Sequence, residues 1–151
     1  MTSTEFNSLH RELATAIVAF QDSVARRAGM TMAERKCAGV LAELEKATPK
    51  RLAESTGLST GAITGIVDRL ERAGFASRER NPDDRRSIIV RAENSVRLAR
   101  LTMPAFDSLT AAMSKLDASY APQERTLILR HLRDTIAILH EQTAQVGARE
   151  S

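Results

Sequence analysis

The chain of 151 residues has no Trp, one Tyr, one Cys and four Pro. Each scarcity excludes something. A lone thiol, Cys37, cannot close a disulfide within the chain, so no disulfide framework holds the fold. Aromatic residues are only 3% of the total, and the apolar residues are mainly Ala, Leu, Ile and Val, which suit helix packing better than a β-sandwich. No apolar run is long enough to span a bilayer, and the opening MTSTEFNSLHRELA has no apolar signal-peptide core. A soluble cytoplasmic protein with no membrane partner is expected. His10, His131 and His140 are scattered, and His140-Glu141 lacks a second His at the metalloprotease offset. There is no GxxxxGK, no GxGxxG and no nucleophile–base arrangement, so the expectation is no metal, no cofactor and no enzyme activity.

What is present is 42% hydrophobic residues, enough for the core of one domain or a small lobe with supporting helices. The net charge is +3, and its distribution matters more than its size. Pro49 to Arg91 holds nine Lys/Arg and six Asp/Glu, and the remainder holds 13 of each sign. The whole excess positive charge therefore lies in that stretch, which favours a polyanion as partner.

Apolar residues at Phe6, Leu9, Leu13, Ile17, Phe20 and Val24 recur in steps of three and four, predicting an amphipathic helix over 5–28 that stops at Gly29. Thr31 with Glu34 forms a capping box for a second helix, running to about Lys46 and packing Cys37, Val40, Leu41 and Leu44. Thr48-Pro49 starts a short helix, PKRLAEST, that ends at Gly57. Ser59 or Thr60 caps the next, which buries Ile63, Ile66, Val67 and Leu70 and ends at Gly74. Phe75–Glu79 and Ser87–Arg91 are strand candidates joined by RNPDDRR, where Pro82 suits the second position of a turn. A helical pattern over 94–116 contains Pro104, which should kink or split it. After Tyr120-Ala121-Pro122 a last helix runs to about Val146 with Leu127, Leu129, Leu132, Ile136 and Leu139 apolar.

Helix, turn, helix and a hairpin with an arginine-rich tip is the layout of a winged helix-turn-helix. Its second helix enters the major groove, and the residues at its N-terminal end, Ser59, Thr60, Gly61, Ala62 and Thr64, meet bases and phosphates. The tip presents Arg80, Arg85 and Arg86, suited to a minor groove whose negative potential attracts arginine.

The stretch LAESTGLSTGAITGIVDRLERAGFASRERNPDDRRSIIV, above all DRLERAG followed by a wing carrying DDRR, resembles the MarR family of bacterial transcriptional regulators. With the order of flanking helices, the resemblance covers nearly the whole chain. It implies a mainly α fold: a winged helix-turn-helix lobe over 31–91 with a two-stranded β-wing, and dimerisation helices over 5–28 and 94–146. It implies an obligate homodimer on a pseudo-palindromic double-stranded operator, with small aromatic or phenolic acids as common effectors. It implies that Ser59, Thr60 and Thr64 face the major groove, that Arg86 reaches the minor groove with Asp84 orienting it, and that Arg69 and Arg78 lie near phosphates.

Three features depart from the family. Gly65 stands where many relatives carry a basic groove-facing residue. Gly61 and Gly65 both sit inside a helix, each costing roughly 0.5–1 kcal/mol against Ala; close approach to DNA or to a neighbouring helix would explain them. The family's Leu-Thr-x-x-Gly entry into the post-wing helix is replaced by RAENSVRLA. Cys37, on the apolar side of its helix, is expected to be a buried structural thiol rather than a redox sensor. The functional expectation is a ligand-responsive homodimeric repressor. The rivals are a winged-helix protein–protein module, against which the charged wing tip speaks, and a ligand-binding protein that does not touch DNA.

Overall fold

The computed structural model describes residues 3–82 and 87–148. Its elements run α1 (Ser3–Arg27), α2 (Met32–Leu44), β1 (Lys46–Ala47), α3 (Pro49–Thr56), α4 (Thr60–Arg72), β2 (Ala76–Arg80), β3 (Ile88–Ala92), α5 (Ser95–Ala118) and α6 (Pro122–Ala148). The chain forms two compact units, one up to Phe106 and one from Asp107.

In the first unit the helix boundaries follow from local chemistry. Gly29, at φ +70°, ends α1: the Met30 N–H reaches back to the Ala25 carbonyl and the Gly29 N–H to that of Arg26. Thr31 caps α2 with the full reciprocal box, its Oγ1 accepting from the Glu34 N–H while Glu34 Oε2 accepts from the Thr31 N–H at 2.8 Å. Thr48 caps α3, and Gly57 ends it in the left-handed region at φ +69°. Ser59 caps α4, its Oγ accepting from the Ala62 N–H.

The α2 helix stops at Leu44, two residues before the expected end, because Glu45 turns to φ +61°. Lys46 and Ala47 then form a strand that sequence periodicity does not predict; a two-residue strand is too short to show alternation. The sheet is therefore three-stranded and antiparallel, in the order β1-β3-β2. Lys46 pairs with Arg91, while Arg78 pairs with Val90 and Arg80 with Ile88. The hairpin strands lie one residue later than expected, and the Asn81 N–H to Ser87 carbonyl bond closes them. The turn beyond Pro82, with Asp84, Arg85 and Arg86, lies outside the described residues.

The core of this unit joins Cys37 and Leu41 of α2, Leu52 of α3, Ile63, Ile66, Val67 and Leu70 of α4, Phe75, Val90 and Leu98. Leu44 is not part of it; it lies 36% exposed at the end of α2. Pro104 does not split α5, which continues through it to Ala118. A proline in a helix forfeits one backbone bond, and here the turns on either side remain helical. Asn94, at φ +50°, enters α5 in place of the family's glycine motif, with its side-chain amide donating to the Gly74 carbonyl at 2.6 Å.

Leu9, Leu13, Ile17 and Val18 of α1 remain about half exposed. The second unit pairs the end of α5 with α6 and leaves Leu127, Leu129, Leu132, Ile136 and Leu139 exposed within the chain. Among the described residues no helix is long and apolar enough to cross a membrane.

Candidate nucleic-acid interface

The α4 helix presents two faces. Ile63, Ile66, Val67 and Leu70 are sunk in the core, at spacings that mark one helical stripe. The opposite face begins with Ser59, Thr60, Gly61 and Ala62, whose first-turn N–H groups carry the positive end of the helix dipole. Thr60, Gly61, Ala62 and Thr64 are exposed. Thr64 donates its hydroxyl to the Thr60 carbonyl at 3.3 Å, and the Ser59 oxygen is engaged as a cap yet keeps its O–H. The structure thus brings four of the predicted site residues together on one helix end.

The glycines are open. A Cβ on Gly61 would meet nothing within 4 Å, and one on Gly65 would meet only Arg69 Nη1 at 3.6 Å. No neighbouring helix explains them, so that alternative is removed. The Arg69 side chain lies back along α4 over Gly65 and so partly fills the face that the missing side chain vacates.

The predicted basic residues are placed differently from one another. Arg80 is exposed at the end of β2. Arg69 is half exposed, but its Nε donates to the Glu34 carboxylate, of which only 8% is exposed. Burial pushes the Glu34 carboxyl up. The Thr31 backbone N–H, the Arg69 guanidinium and the Thr31 hydroxyl together outweigh that and hold it below its ordinary value. Arg78 donates to Glu71 and, at 2.6 Å, to Asp68, with a third bond at 3.3 Å to the Thr64 carbonyl. Arg91 makes a forked pair with Glu79 across the hairpin, and that carboxylate raises its pKa. The partners Glu34, Asp68 and Glu71 were not singled out for these roles from sequence. The acidic residues of DRLER, three apart and flanking basic ones, were the available signal.

Beside this lobe, still in the first unit, lies a cavity of about 250 Å³ lined from α2 by Arg35, Gly39 and Glu43 and from α5 by Leu98, Thr102, Met103 and Phe106. Arg35 Nη2 donates to Gln21 of α1 at 2.9 Å, and its guanidinium lies 5.4 Å from the centre of the Phe106 ring. Among the described residues, Arg35 Nε is buried without a hydrogen-bond partner. Cys37 is fully buried, and burial pushes its thiol up to about 11. Among the described residues no group of three His, Cys, Asp or Glu could hold a metal ion.

The sequence profile of the MarR family matches residues 31–88, from the α2 cap to the start of β3. The chain is 32% identical over 134 residues to YcgE of Bacillus subtilis, described as an uncharacterized HTH-type transcriptional regulator, covering 89% of this chain and 86% of that one. Among solved structures it resembles Streptococcus pneumoniae FabT in complex with DNA, with a TM-score of 0.75 at 17% identity over 93% of this chain and 99% of that one. It also resembles Bordetella bronchiseptica BpsR, whose DNA binding is regulated by 6-hydroxynicotinic acid, with a TM-score of 0.63 at 20% identity over 85% and 91% of the two chains. At these identities the two structures speak for the fold.

Proposed function

The chain belongs to the MarR family of DNA-binding transcriptional regulators, and from that premise we propose that it is a homodimeric repressor released from its operator by a small aromatic or phenolic acid. The observation that carries the DNA reading is the exposed first turn of α4, held by a fully buried opposite stripe. Ser59, Thr60, Gly61 and Thr64 would enter the major groove. Arg80, Arg85 and Arg86, the last oriented by Asp84, would reach the adjacent minor groove. The lobe that reads DNA spans 31–91.

The helices over 5–28 and 94–146 would join two copies. Their exposed leucines and isoleucines support this: burying one such side chain fully is worth roughly 1.5–3 kcal/mol, and a partner's matching stripe would collect that stabilisation. Two recognition helices would then sit about one helical turn of DNA apart, roughly 34–36 Å.

The cavity beside Arg35 supports the effector reading. Arg35 lines it and offers a guanidinium to a carboxylate, and Phe106 offers a ring. An acid that favours the wrong recognition-helix spacing by a few kcal/mol would empty the operator. The protein acts by binding and not by catalysis.

Binding to mixed-sequence duplex DNA across a salt series tests the core of this reading. Affinity should fall linearly on logarithmic axes as counterions compete for the phosphates. A response flat in salt would refute DNA as the partner and favour a protein-docking role for the winged lobe.

A further inference from the structure

The family pattern puts Arg78 near phosphate, and its surroundings in the structure point elsewhere. Arg78 lies on β2 directly opposite Val90, and residues opposed across an antiparallel pair share a face. Val90 is fully buried, so Arg78 is turned inward against α4. Its fork of donors spans three positions along one flank of that helix, the Thr64 carbonyl, Asp68 and Glu71, at steps of four and three. Only 26% of the Arg78 side chain is exposed, less than the 51% of Asp68. One positive charge facing two carboxylates leaves the cluster net negative, which repels phosphate.

On the opposite flank of α4, Arg69 is held by Glu34 of α2. The recognition helix is thus tied on one side to the helix behind it and on the other to the base of the wing. We propose that Arg78 is a positioning residue: it sets the angle between β2 and the recognition helix, so that Arg80 meets the minor groove while α4 occupies the major groove. This rests on the DNA-binding reading above.

The two roles predict opposite signs for one substitution. Glu71→Gln makes the protein more positive and frees a donor of Arg78. If Arg78 touched phosphate, duplex affinity would hold or rise. If Arg78 positions the wing, affinity falls despite the added charge. The probe is the duplex recovered by selection from a random pool, with affinity followed by anisotropy from about 50 to 200 mM salt.

Expected are losses of about tenfold for Glu71→Gln and for Arg78→Gln, no further loss in the double variant, and a salt slope unchanged by Arg78→Gln. Arg78→Lys should not restore binding, because a single ammonium cannot span both carboxylates. Circular dichroism serves to confirm that each variant is folded. A Glu71→Gln variant that binds as tightly as the parent, or a slope reduced by about 0.9 in Arg78→Gln, overturns the proposal and leaves DNA binding standing. An unaltered protein that selects no duplex overturns both.

Discussion

Glu34 divides its two carboxylate oxygens between two helices: Oε2 accepts from the Thr31 N–H at the start of α2, and Oε1 accepts from Arg69 Nε, 35 residues along the chain on α4. One buried group therefore both completes the capping box of α2 and ties α2 to α4. Removing it leaves the Thr31 N–H without its acceptor and an arginine without its partner, while the Thr31 side chain still caps α2.

Glu34→Ala should destabilise the fold by about 1–3 kcal/mol, combining the lost bond to the Thr31 N–H with a lost charge-assisted bond to a half-exposed arginine. Urea unfolding would show this as a lower midpoint at unchanged slope. The effect depends on pH. The Glu34 pKa is depressed in the folded state from 4.5, so its contribution is complete above that value and is lost as pH falls below it. The gap between parent and variant should narrow as pH falls below about 4.5. A gap that stays constant through that range would show that the carboxylate's charge is irrelevant.

Cys37 should behave as a packed apolar group. With its thiol fully buried and pushed up to about 11, it should resist a thiol reagent at neutral pH until urea unfolds the chain. Peroxide should release DNA no faster from the parent than from Cys37→Ser. Rapid labelling of the native protein, or a peroxide response that the serine variant lacks, contradicts this.

The helices, their caps and the buried stripe of α4 were legible in the sequence because each is set within a few residues: Thr31 with Glu34, Thr48 before Pro49, Gly57 after Thr56. What was not legible depends on partners distant in sequence. Arg69 and Arg78 look alike as basic letters on and beside α4, and only folding reveals that one meets Glu34 and the other Asp68 and Glu71. Arg35 carries no local mark of the cavity it lines, since Phe106 joins it from another helix. The strand Lys46–Ala47 was hidden because it exists only by pairing with Val90 and Arg91.

Gly65 offers a test of stability against function. Its added Cβ would meet only Arg69 Nη1 at an ordinary 3.6 Å, so Gly65→Ala should stabilise the protein by roughly 0.5–1 kcal/mol through helix propensity. If the glycine permits close approach to DNA, the same variant should bind the selected duplex more weakly. Higher thermal stability with undiminished affinity would remove the DNA explanation for Gly65.

Sedimentation equilibrium should give twice the 16.6 kDa chain mass. Leu13→Asp on α1, where Leu13 is 52% exposed within one chain, should shift the protein toward monomer without unfolding the lobe built on Leu41, Ile63 and Leu70. A parent protein that sediments as a monomer at micromolar concentration contradicts the paired-copy reading.

The most direct test of the central claim is selection of bound sequences from a random duplex pool. A homodimer that reads DNA with two α4 helices predicts enrichment of an inverted repeat with half-site centres about 10–10.5 base pairs apart. Enrichment of nothing, or of a single unsymmetrical site, would contradict it.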